Sequence, residues 1–121
     1  MSKQDLNDNS QKLELSSIEL STKEKLFGET ALINWYELQR FFAQGTVLWV
    51  SKDLDLVTIA TLFAEDKASE LAPFLESENI APVSNDQARH WYDNEKELWS
   101  VVVAPFVLVQ EPKAQQGNSQ E

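Results

Sequence analysis

The chain has no cysteine in 121 residues. That excludes disulfides, thiol nucleophiles and thiolate-bound metals, and it fits a reducing compartment. Histidine occurs once, as His90, so no imidazole-rich metal site can be assembled. Glycine occurs three times, as Gly28, Gly45 and Gly117, too sparsely for a loop that cradles phosphate. Long apolar runs are missing as well. The longest, Val101 to Val109, has nine residues and contains a proline, well short of the roughly 18–20 that a membrane span needs. Met1 to Leu20 shows no basic start followed by an apolar stretch, so no secretion signal is expected. The default expectation is a cytoplasmic protein.

Basic residues are also scarce. Ten Lys and Arg stand against twenty Asp and Glu, giving a net charge of −10, and only Lys23 and Lys25 lie close together. Binding to nucleic acid rests on clustered cations that displace counterions from phosphates, and anionic membranes attract the same cations. Neither nucleic acid nor a membrane surface is an expected partner.

What is present is globular: 42% of the residues are hydrophobic, too many for a disordered chain. One domain fits the length. Residues 1–20 are expected to be a disordered or weakly ordered polar tail, including a near-repeat of Leu13-Glu14-Leu15-Ser16-Ser17 by Ile18-Glu19-Leu20-Ser21-Thr22. Residues 21–111 should form the compact domain, and 112–121 a second disordered tail.

Within the domain, Ser21 and Glu24 have capping-box spacing, so a helical region begins there, weakened by Gly28. Ala31, Trp35, Leu38 and Phe42 fall at helical spacing and predict an amphipathic helix over 30–44, closed by Gly45. The β-branched and aromatic run 46–50 reads as a buried strand. Leu56, Ile59, Ala60 and Phe63 predict a helix over 54–65. Asp66 is the expected cap of another at 67–77, despite Pro73. Residues 80–83 can be an edge strand at best, because of Pro82. Ser84 and Gln87 form a second capping box, opening a helix over 85–95. Residues 98–110 are apolar on both alternating faces and predict one long strand, buried on both sides and bent or interrupted at Pro105. The fold expected is α+β: a small mixed β-sheet packed with about four helices in a single domain.

Several stretches together resemble a known family. They are Gly28-Glu29-Thr30-Ala31, Trp35 with Glu37 to Ala43, Asp53 to Val57, Phe63 to Asp66, Gln87-Ala88 with Trp91, and Glu97-Leu98-Trp99 running on to Glu111. In that order they are similar to the bacterial domain of unknown function 2288 family. The resemblance spans about Leu26 to Glu111. It implies a compact bacterial intracellular domain and carries no mechanism.

Few residues suggest chemistry. Asp53 and Asp55 follow a predicted strand, where an Asp-x-Asp pair can hold a divalent metal or accept a phosphoryl group. The simpler reading is that one caps the next helix and the other favours its dipole. The pairs Glu65/Asp66 and Glu76/Glu78 could share acid–base work, but they sit at helix ends where carboxylates are usually solvated. His90 could act as a base or single metal ligand, yet it precedes an expected core tryptophan and so belongs at the surface. Glu37 and Arg40 are spaced for an exposed helix pair. Trp35, Trp49, Trp91 and Trp99 read as core first, but a small domain strains to hide four indoles. Any that stay exposed would mark an interaction surface.

The expected function is therefore a non-enzymatic protein-interaction module whose partner is another protein or a second copy in a homodimer. No cofactor is implied. The alternatives are a small carboxylate- or divalent-metal-dependent enzyme using Asp53 and Asp55, with Asp53, Asp55 and His90 the candidate catalytic groups, and an acidic mimic of nucleic acid.

Overall fold

The computed structural model describes residues 21–113. The expectations for residues 1–20 and 114–121 lie outside them. Ten elements follow one another: α1 (Thr22–Glu29), β1 (Ala31–Asn34), α2 (Trp35–Ala43), β2 (Val47–Val50), α3 (Leu56–Ala64), α4 (Ala68–Glu76), β3 (Ile80–Pro82), α5 (Asn85–Asp93), β4 (Glu97–Val103) and β5 (Phe106–Gln110).

The strands form one mixed sheet in the order β1-β4-β5-β2-β3. Only β2 and β5 pair in parallel; the other neighbours are antiparallel. Because strand side chains alternate between faces, the sheet feeds two cores. On one face Leu48, Val50, Val101, Val103 and Leu108 pack with Leu26 of α1, Leu56, Ile59 and Ala60 of α3 and Leu71 of α4. On the other, Val47, Leu98, Val107 and Val109 pack with Trp35 and Leu38 of α2 and Ala88 and Trp91 of α5. The result is an α+β sandwich of five helices around a five-stranded sheet among the described residues. Both capping boxes form as their spacing predicts, at Ser21 with Glu24 and at Ser84 with Gln87.

Three expectations need correction. The helix expected over 30–44 begins only at Trp35. Residues 31–34 are instead strand β1, because they pair with Glu97–Ser100 and because the Asn34 side chain accepts from the Tyr36 N–H and so caps α2 at its true start. The single bent strand expected over 98–110 is two strands. Ala104 and Pro105 form a hairpin turn that folds β5 back antiparallel on β4. Asp66 does not cap α4, whose first turn has no side-chain cap. It adopts φ +57° two residues beyond the end of α3, just past the C-cap Glu65, where its N–H donates to Phe63 O while Lys67 N–H donates to Leu62 O. That pair of bonds is a Schellman ending. The same pattern closes α2 at Gly45, α4 at Glu78 and α5 at Glu95. Only Gly45 is suited to positive φ. Asp66, Glu78 and Glu95 thus hold left-handed helix termini.

The loop after β2 is tied down from the sheet centre. Gln110 Nε2 donates to the carbonyls of Ser51 (2.8 Å) and Leu54 (2.7 Å). This fixes Asp53 and Asp55 relative to the end of β5.

Candidate functional site

Asp53 and Asp55 stand in the loop between β2 and α3. Asp53 is exposed in the turn, its N–H donating to Ser51 Oγ. Asp55 caps α3: its Oδ2 accepts from the Thr58 N–H (2.9 Å) and the Thr58 hydroxyl (2.6 Å). Glu65 and Asp66 lie at the opposite end of that nine-residue helix, about 15 Å or more from Asp55 at the rise of an α-helix. Among the described residues no group of three or more His, Cys, Asp or Glu side chains is placed to hold a metal ion. His90 is exposed, and its Nδ1 lies 3.2 Å from the Asn94 side-chain amide nitrogen. Carboxylates occur on the helices of both layers and in the connecting loops, so they do not line one face.

The Thr58 hydroxyl bond holds the Asp55 carboxyl below its usual range against the opposing effect of burial, helped by the Thr58 N–H, Lys23 and Lys113. A carboxyl depressed in the folded state contributes stability above its unfolded pKa and loses it as pH falls through the folded value. Asp55→Ala should therefore cost about 1 kcal/mol at neutral pH, as loss of a cap does. Urea unfolding should show the gap from the wild type narrowing as the acid is protonated.

The tryptophans divide. Trp35 and Trp91 are buried and meet edge to face, with ring centroids 5.1 Å apart. Trp91 Nε1 also donates to Glu111 Oε2 at 3.3 Å. Trp49 is half-buried against the same core, and its indole N–H is buried without a partner among the described residues. Trp99 alone is exposed, at 39%. It lies beside Leu32, its register partner on β1, which is 43% exposed. Both project on the α1 side of the sheet.

Sequence reasoning missed Leu32, because it sits in the stretch that reads as helix. It also missed the open edge itself. β1 is the outermost strand on its side, and it covers only residues 97–100 of β4. Val102, further along β4, is 59% exposed. On that second face a cleft of about 540 Å³ runs between α2 and the sheet, lined by Ile33, Tyr36, Arg40, Phe41, Val102 and Val107. The Arg40 guanidinium carbon stands 4.9 Å from the centre of the Phe41 ring. Tyr36 packs edge to face on Tyr92 at 5.1 Å. Partial desolvation first, then Glu95, Tyr92 and Asp93, push its phenol above the usual tyrosine range.

The two edges of the sheet differ. β3 is three residues long and ends in Pro82, which cannot donate to a further strand. β1 reads Ala31-Leu32-Ile33-Asn34, with neither proline nor charge. Exposed edges normally carry a device against pairing; among the described residues the one that β1 shows is its shortness, four residues.

Residues 21–111 match the family described as Protein of unknown function (DUF2288). The solution NMR structure of PA1075 from Pseudomonas aeruginosa is similar, at 42% identity and a TM-score of 0.68, over 80% of this chain and 91% of that one. Among curated proteins nothing matches. No helix among the described residues is long and apolar enough to cross a membrane.

Proposed function

We propose that this chain, which belongs to the DUF2288 family, is a non-enzymatic protein-interaction module that docks an extended partner segment along its β1 edge. The observation that carries this reading is the strand Ala31–Asn34, outermost in the sheet and free of proline and charge, flanked on one face by exposed Leu32 and Trp99 and on the other by the cleft beside α2. A strand added there gains main-chain hydrogen bonds from the edge, and its alternating side chains reach the Leu32–Trp99 patch and the cleft in turn. Asp55, one of the carboxylates suggested by the sequence, has its Oδ2 engaged in capping α3.

A displayed library of seven-residue peptides tests it. Selected peptides should carry apolar residues at every second position, and they should bind Leu32→Lys at least about tenfold more weakly, since the substitution removes apolar contact and puts a charge on the edge. Peptides that bind the variant as well as the wild type would place docking elsewhere and defeat the proposal.

A further inference from the structure

We infer that the cleft beside α2 binds a free α-amino acid with a large apolar side chain, that side chain on the floor and its two charged groups at the rim. The site needs no pairing along either edge of the sheet. It also lies on the opposite face from both ends of the described chain. Ser21 opens α1, and Lys113 lines a hollow with Leu32 and Trp99 on the α1 side.

The floor exists because β1 is shorter than β4. The last pair between them is Ala31 with Ser100, and Val102 runs on past it. α2 stands over this strip and leaves a cleft of about 540 Å³, in which Ile33, Phe41, Val102 and Val107 present apolar surface. Small-molecule sites fall in this range, about 300–1,000 Å³, and combine a mostly apolar lining with a few placed polar groups. Here the polar groups carry both signs. Glu37 and Arg40 line the cleft from one helix. Residues three apart on a helix are neighbours, with Cβ atoms about 5–6 Å apart, so a carboxylate and a guanidinium stand side by side. Glu29 brings a second carboxylate from the end of α1. Arg40 lies over the Phe41 ring, which holds its guanidinium against the apolar wall. In the floor, Ser100 is 5% exposed, and its hydroxyl donates to Leu98 O at 3.0 Å. A hydroxyl also accepts through two lone pairs, so the apolar floor contains one buried acceptor.

Charge selects the ligand. A simple anion would suit Arg40 but would meet two carboxylates and a chain of net charge −10. A simple cation would suit the carboxylates but would meet Arg40. An α-amino acid carries no net charge. It can set its carboxylate on the guanidinium, in the planar match that arginine favours, and its ammonium on a neighbouring carboxylate. Its side chain then takes the apolar floor. Exposed ion pairs are individually weak, so the Kd should be on the order of 1 mM for a ligand of about a dozen heavy atoms.

Nuclear magnetic resonance titration of the isotope-labelled full chain with L-phenylalanine is the test. Saturable shifts should centre on the backbone amides of Ile33, Arg40, Ser100 and Val102. The N-acetyl derivative lacks the ammonium and the amide derivative lacks the carboxylate, so each should bind at least about threefold more weakly. Glycine, without the apolar side chain, should give no saturable shift. Arg40→Gln should weaken L-phenylalanine by a similar factor and leave the amide derivative unchanged, because the lost partner is the carboxylate. Val102→Trp should abolish binding by filling the cleft, with circular dichroism unchanged because position 102 is 59% exposed. No saturable shift with L-phenylalanine, equal binding of the two derivatives and the parent, or full binding by Val102→Trp would each overturn the inference. Shifts centred on another part of the domain would overturn it as well.

Discussion

Trp35→Ala should remove about 3–5 kcal/mol of folding stability, the usual cost of deleting a large buried aromatic side chain. Domains of this kind have only about 5–15 kcal/mol in total, so a large share of the molecules should unfold under mild denaturant. The size of the effect follows from where the indole sits. Trp35 is 1% exposed, the first residue of α2, and its N–H donates to Lys96 O at 2.9 Å. Its ring touches Trp91 of α5 at 5.1 Å and Phe42 of its own helix at 5.6 Å. Removing it leaves a cavity between α2 and α5 that neither helix can fill without tilting off the sheet. Trp99→Ala should cost much less stability, because that indole already faces water in the single chain. Urea titration of the two variants separates a tryptophan that holds the fold from one that is left for contact. Equal losses would mean that Trp99 is a core residue and that the proposed edge is not available.

That division was only half legible in the sequence. Helical spacing correctly placed Trp35 and Trp91 toward a core, because both lie on amphipathic helices whose inner face is unambiguous. Trp49 and Trp99 lie on strands, where alternation says which side a residue faces but not whether that side is covered. Coverage depends on where the helices land. α1, α3 and α4 together do not reach the Trp99 corner of their face, and nothing local in Glu97–Val103 records this.

The same distinction explains which elements could be read. Capping boxes at Ser21 and Ser84, the helix beginning near Asp55 and the proline-limited strand at residues 80–82 all rest on local chemistry, and all appear. β1 does not rest on local chemistry. Four residues are too few for a period of two to emerge, and Ala31 falls by coincidence in helical register with Trp35, Leu38 and Phe42. Its strand conformation is held by β4, more than sixty positions away in the chain. The Asn34 cap was the available local signal: a capping residue inside a predicted helix means that the helix begins after it. The acidic residues misled in a related way. Asp66, Glu78 and Glu95 hold positive φ where glycine or asparagine is usual. They gave no turn signature; Asp66 and Glu78 looked instead like candidates for acid–base chemistry, and Asp66 also like a helix cap.

Leu108→Ala should destabilise by about 2–5 kcal/mol, whereas Val102→Ala should stay within about 0.5 kcal/mol of the wild type. Both residues belong to the apolar stretch that reads as uniformly buried, so the pair measures how the hairpin at Pro105 partitions it. β5 is the middle strand, flanked by β4 and β2 and covered on both faces. Leu108 is fully buried there, opposite Val101 on one side and Leu48 on the other, with α3 above it. Truncating it opens a cavity at the point where the two halves of the sheet meet, and no side chain at the surface can swing in to close it. Val102 lies one strand nearer the edge and past the end of β1, with 59% of its surface in water. Its truncation removes little buried area and leaves the backbone pairing with Val107 untouched. Thermal and urea unfolding of the two variants should therefore differ by several-fold in cost. A Val102 loss as large as that of Leu108 would mean that the β4 edge is covered in the single chain, and the open edge on which the proposed docking depends would not exist.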